Sequence, residues 1–121
     1  MPHFVVEYAR RMEETLSLAK VMEVTYAAGA RSGVMTSSDI KVRAIPYDHF
    51  LMADGTGSFL HVTVSLLAGR SAEQKEHLGI CVRDDLAAAF PEVGSISVDI
   101  RDMDPVSYKK RLAPVAGAVA Q

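Results

Sequence analysis

One cysteine, Cys81, stands among the 121 residues, and there is no tryptophan. A single thiol closes no intrachain disulfide, so packing has to carry stability, and the usage fits a reducing compartment. Neither sign of charge dominates: 13 basic and 15 acidic side chains leave a net charge of −2, which excludes the strongly basic face of a nucleic-acid binder. No run approaches the roughly 20 apolar residues of a membrane span, and Glu7, Arg10 and Arg11 interrupt the apolar stretch that an export signal requires. His3, His49, His61 and His77 show no ligand spacing with one another or with Cys81, so no metal site is expected. The glycines of Asp54-Gly55-Thr56-Gly57 precede a strand pattern, not a helix, and mark a turn instead of a phosphate loop. What is left is a single domain, 1–121, long enough to bury roughly two-thirds of its unfolded surface, expected in the cytoplasm as an enzyme or binding protein.

The hydrophobic pattern predicts alternating strands and helices. His3 to Ala9 alternates and is rich in Val, Phe and Tyr, which predicts a strand at the very start of the chain. Met12, Leu16, Ala19, Met22 and Tyr26 recur at helical spacing over about 11–28, with Gly29 placed to end the helix. Ile40 to Tyr47 alternates again and is stopped by Pro46 and Asp48, as an edge strand would be. After the turn at 52–57 comes a third strand, 59–67. Ser71-Ala72-Glu73-Gln74 fits a capping box, and Leu78, Val82, Leu86 and Ala89 mark the buried face of a helix ending before Pro91. Ile96 to Ile100 gives a fourth strand, followed by the basic cluster Lys109-Lys110-Arg111 in a tail, 105–121. The order is that of two β-α-β halves, about 3–47 and 59–104. A faint echo joins them: His3-Phe4-Val5-Val6 resembles His61-Val62-Thr63-Val64, and Ile40-Lys41-Val42 resembles Ile96-Ser97-Val98. The fold class is therefore α/β, a duplicated β-α-β arrangement with a four-stranded sheet and both helices on one face. The other face is expected to be apolar and covered by oligomerisation.

Pro2 opens the first strand, so its nitrogen is held on a rigid scaffold. Removal of Met1 leaves a secondary amine there, and an α-amino group of pKa about 7.7–8.0, lowered by desolvation, is suited to general-base work. Cys81 lies in a helical apolar pattern as a packed thiol would, and Glu73 and His77, one helical turn apart, suit a solvated pair.

Met1-Pro2-His3-Phe4-Val5-Val6-Glu7, Met52-Ala53-Asp54-Gly55, and Phe59-Leu60-His61-Val62-Thr63 followed by Gly69-Arg70-Ser71 resemble the 5-carboxymethyl-2-hydroxymuconate isomerase family of the tautomerase superfamily. The resemblance runs in order from Pro2 to about Asp104. It implies a homotrimer of double β-α-β subunits, no cofactor, and an amino-terminal proline that moves a proton along a small, anionic, unsaturated 2-hydroxy dicarboxylate. Carried over to this sequence, Pro2 is the general base and then the acid. Arg70 grips a substrate carboxylate, a role that suits the planar guanidinium fork, though an arginine at a helix start also suits an interface salt bridge. Where the family pattern has Ile-Arg-x-Arg, this chain has Ile40-Lys41-Val42-Arg43; Lys41 keeps the charge and loses the fork, which opens the choice of substrate to other enolisable acids such as an aryl pyruvate. Arg43 matches the second arginine and points the same way as Lys41, where it suits either the substrate or an ion pair with an acid. Phe50, two residues before the Met-Ala-Asp-Gly segment, is a candidate pocket wall or plain core. From another class, the rival is a non-catalytic trimeric binding protein in which Pro2 and Arg70 serve only the fold.

Overall fold

The structure, a computed structural model, describes residues 1–114; the end of the tail, 115–121, lies outside the described residues. Strand β1 spans His3–Ala9, helix α1 Leu18–Arg31, β2 Lys41–Tyr47, β3 Phe59–Leu67, α2 Ala72–Ala89 and β4 Ser95–Met103, with short 3-10 turns at Arg10–Glu14 and Ser37–Asp39. The four strands form one sheet in the order β2-β1-β3-β4. Each half contributes a parallel pair, β1 with β2 and β3 with β4, and the halves meet antiparallel at β1 and β3. The pairs His3↔Ser65 and Glu7↔His61 exchange about a pseudo-twofold through Val5↔Thr63, which is the geometry that the echo of His3 with His61 predicts.

Alternation sorts the side chains of the sheet. Phe4, Val6 and Tyr8 of β1 and Leu60, Val62, Val64 and Leu66 of β3 are buried against Val21, Thr25 and Ala28 of α1 and Leu78, Val82 and Leu86 of α2. Burying each such aliphatic or aromatic side chain contributes about 1.5–3 kcal/mol. Both helices lie on this face. The opposite face is mixed where an apolar surface was expected: across the strands it carries His3, Glu7, Lys41, Arg43, His61, Thr63, Ser65, Ser97, Asp99 and Arg101 together with Val5, Ile45, Tyr47, Phe59, Leu67 and Met103. The strand segments alternate apolar with polar, and the period of two sends most of the polar residues to the same side; Asp102, level with Leu66, is on the helix face and pairs with Lys75.

The first helix departs most from the sequence reading. It starts at Leu18, because the Ser17 side chain accepts the Lys20 amide and fixes the entry there. It also runs through Gly29 to Arg31, and Gly33, at φ 74°, is the residue that turns the chain out of it. Gly29 serves a different need: a Cβ there would stand 2.8 Å from Cζ of Phe4. Ala19, Met22 and Tyr26, expected in the core, line an apolar groove of about 440 Å³ with Ile40 and Val42 at the β2 edge. In α2 the capping box of Ser71 and Gln74 forms as predicted. Ala89 is exposed, and the C-cap residue Phe90 takes the core position expected of it.

Candidate active site

The amino-terminal end of β1 is where charge collects. Pro2 is fully buried, and its carbonyl accepts the Lys41 amide at 3.1 Å, which extends the β1–β2 ladder by one residue. The Met1 amine lies 3.9 Å from the Asp39 carboxylate. Burial pushes this amine below its ordinary pKa; Asp39 pulls the other way, and Lys41, Lys110 and Arg70 each add to the lowering. Four cations therefore act within reach of the chain start, counting Arg43, which acts on the adjacent His3.

The cations come from β2, from the β3–α2 turn and from the segment after β4. Lys41 opens β2 and donates to the Asp39 carbonyl at 3.2 Å. Arg43, two residues on and so on the same face, donates through its guanidinium to Nδ1 of His3 at 3.1 Å. The other ring nitrogen of His3, Nε2, stands 2.9 Å from the Tyr108 hydroxyl. A donor at Nδ1 requires that nitrogen to be unprotonated, so the ring is neutral and donates from Nε2 to Tyr108. Burial, then Arg43 and Lys41, hold the His3 pKa below its ordinary value, in agreement with that state. Arg70 follows Gly69, whose φ of 135° turns the chain from β3 into α2. Its guanidinium donates to the carbonyls of Leu67 at 3.1 Å and Val34 at 3.3 Å. Among the described residues no carboxylate pairs with Arg70, Lys41, Arg43 or Lys110. Carbonyls orient a guanidinium without neutralising it, which leaves net positive charge for an anion.

Of the five residues singled out in the sequence, Pro2, Lys41, Arg43 and Arg70 come together at this end. Phe50 does not. It packs edge-on against Phe59, with ring centroids 5.2 Å apart, and under the Arg11 guanidinium. Together with Arg10, Arg11, Tyr47 and Asp48 it lines a cleft of about 490 Å³ at the other end of the sheet. The seven residues of β1 at about 3.3 Å each separate the two ends by about 20 Å. Asp39, His3, Tyr108 and Lys110 escaped the sequence reading. Their signal was weak: Tyr108 and Lys110 stand in a tail without periodicity, and only the turn made by the Tyr108 amide with the Asp104 carbonyl brings them back to β1.

The model of the family described as 5-carboxymethyl-2-hydroxymuconate isomerase matches residues 2–112. The chain belongs to this family. A curated relative, the 5-carboxymethyl-2-hydroxymuconate Delta-isomerase of Escherichia coli, is 31% identical over 81 residues, which cover 65% of this chain and 64% of that protein. Among solved structures, a 5-carboxymethyl-2-hydroxymuconate isomerase from Deinococcus radiodurans R1 superposes with a TM-score of 0.72 at 24% identity, covering 91% of this chain and 88% of that one. A structure described as a fused 4-OT wild-type symmetric trimer gives 0.72 at 18% identity, covering 98% and 94%. At these identities the structural likeness speaks for the fold. In this fold the start of β1, the start of β2 and the β3–α2 turn lie at one end of the sheet.

Proposed function

We propose that the protein is a cofactor-independent isomerase that moves a proton along 5-carboxymethyl-2-hydroxymuconate or a close unsaturated 2-hydroxy di- or tricarboxylate, with Pro2 as base and then acid. The observation that carries this reading is the convergence of Lys41 and Arg70 on the buried chain start with Asp39 as its facing carboxylate. Family membership supports the reaction class.

With Met1 attached, the Pro2 nitrogen is an amide and has no basicity. Removal of Met1 makes it a secondary amine in the surroundings that already lower the amine pKa through burial and three cations. Burial and cations favour the unprotonated form of such an amine, which accepts the proton of the 2-hydroxyl. Electrons move along the diene as the 2-oxo group forms, and the prolinium returns the proton to a carbon farther along the conjugated system, a 1,3- or 1,5-shift. Negative charge spreads through the dienolate between these steps. Arg70 and Lys41 stabilise that charge more than they stabilise the starting dienol, which is the condition for acceleration. Arg43 faces the same side and adds to the field through His3. Water near the amine would level its basicity, and Phe50 is suited to exclude it, but only from a neighbouring subunit, because within one chain it sits at the far end. A homotrimer meets this need and agrees with the trimeric assembly named for a structural relative. Cytoplasmic location and a place in aromatic-acid breakdown belong to the same reading.

Lys41 favours a second reading of the substrate. An ammonium lacks the two-pronged grip of arginine, so a monocarboxylate such as the enol of an aryl pyruvate is the next substrate to offer. The deciding experiment is ultraviolet-monitored turnover of 5-carboxymethyl-2-hydroxymuconate by Met1-free protein beside protein that retains Met1. Turnover confined to the Met1-free sample is the expected result. Equal turnover removes Pro2 as the base, and none in either, with the aryl pyruvate enol also inert, leaves the non-catalytic binding protein.

A further inference from the structure

Of the basic cluster at 109–111, Lys110 alone is among the cations at the chain start, and the proposed reaction leaves it without a role. Lys110 is exposed along its length, and its Nζ contacts the Met1 sulfur. Its charge acts on both the terminal amine and His3. The reach follows from how the segment after β4 is anchored. The Tyr108 amide bonds to the Asp104 carbonyl at 3.0 Å, and the Val106 amide to the Asp104 carboxylate at 3.1 Å, which turns the chain back toward β1. Tyr108, half-buried, then sets its ring edge-on to His3 at 5.9 Å and its hydroxyl 2.9 Å from Nε2. Two residues later Lys110 meets the Met1 side chain. Its neighbour Lys109 is exposed too, and among the described residues it makes no ion pair.

We propose that Lys110 is a further substrate-binding residue of the Pro2 site, a cation for a carboxylate of the dicarboxylate, and that Tyr108 on His3 is the clasp that positions it. The inference rests on the reading of this end as an active site. Lys41 and Arg70 come from β2 and the β3–α2 turn; Lys110 approaches from the tail side and supplies a cation to a second carboxylate that one guanidinium cannot span. The point charge on a long stem suits this role, since it follows a carboxylate that moves as the chain of carbons changes geometry. Tyr108 touches no reacting atom and acts through Lys110 as a positioning residue.

The test uses Met1-free full-length protein in four forms: parent, Lys110→Gln, Lys110→Arg and Lys109→Gln, with Tyr108→Phe as a fifth. Two readouts are taken on each, the KM and kcat for 5-carboxymethyl-2-hydroxymuconate and the Kd for cis,cis-muconate, an unsaturated dicarboxylate without the 2-hydroxyl. One exposed ion pair is worth up to about fivefold in affinity, so Lys110→Gln raises KM and Kd by about threefold to fivefold with kcat within about twofold. Lys110→Arg restores most of the loss, Lys109→Gln matches the parent, and Tyr108→Phe falls between. A Lys110→Gln protein with parental KM and Kd overturns the inference while the parent's turnover leaves the isomerase reading standing. A parent that binds muconate through Lys110 but turns nothing over overturns the isomerase reading and keeps the inference. If the parent neither binds nor reacts, both fall.

Discussion

At the scale of single residues, the candidate site is governed by which groups remain uncompensated. Arg70 holds two carbonyls and no carboxylate, so its loss separates into two effects. Arg70→Ala removes two hydrogen bonds to Leu67 and Val34, costing about 1–2 kcal/mol of stability, and removes the cation, lowering kcat/KM at least about tenfold. Kinetics beside urea unfolding and size exclusion resolve the two; dissociation of the assembly with unchanged kcat/KM per folded subunit assigns Arg70 to structure alone. His3 gives a pH prediction with a definite sign. Its folded pKa is lowered by burial first and then by Arg43 and Lys41, so the unfolded chain takes up the proton more readily. The stability it contributes is complete above the ordinary value near 6.5 and is lost as pH falls below that toward the folded value. NMR titration of the imidazole should place its midpoint under that of an exposed histidine, and Arg43→Ala should move it upward. A midpoint indifferent to Arg43 would contradict the hydrogen bond at Nδ1. Pro2, Lys41, Arg43 and Arg70 were legible in the sequence because each belongs to a short motif at the start of an element. Tyr108 and Lys110 were not, because only the turn after β4 gives them a place.

At the scale of elements, strands were easier to read than helices. Alternation fixes a strand's face whatever its exact ends, and β1 and β3 fell where the pattern put them. The first helix mixed two sets of apolar residues at compatible spacing. Met12 is buried in the 3-10 turn before the helix, while Met22 and Tyr26 line the groove at β2; a single stripe drawn through them misses Val21, Thr25 and Ala28. Gly29 looked like a terminator because glycine is common just beyond a helix, whereas here it admits the Phe4 ring. Gly29→Ala makes this difference measurable. At an open helical position the exchange would stabilise by about 1 kcal/mol. Here the new Cβ meets a fully buried ring 2.8 Å away, and overpacking costs about 1–3 kcal/mol. A net loss of up to about 2 kcal/mol is expected, seen as a lower urea midpoint with an unchanged slope. A gain in stability would show that Phe4 can retreat and that the close approach does not govern the position.

At the scale of the molecule, the two halves share a scaffold and differ in chemistry. The pseudo-twofold sets His61 where His3 stands in the first half, but its strand neighbour is Ser97, to which it bonds at 2.6 Å, in place of Lys41. One end of the sheet is thus rich in cations around the chain start, and the other carries Phe50, Arg10 and Arg11 around the cleft. If subunits assemble as a homotrimer, a closed ring lets the Phe50 end of one copy meet the Pro2 end of the next, and the aromatic wall that a single chain cannot supply to its own proline comes from its neighbour. Complementation tests this arrangement directly. Pro2→Ala and Phe50→Ala proteins, each impaired alone, are unfolded together, refolded as a mixture and assayed beside light scattering for the assembly mass. With random mixing about a quarter of the sites pair an intact Pro2 with an intact Phe50 from the adjacent copy, so activity should rise to about that fraction of the parent. A mixture no more active than the average of its components, at a trimeric mass, would place Phe50 outside the site and return it to the role its contact with Phe59 already supports, a packed side chain at the far end of the sheet.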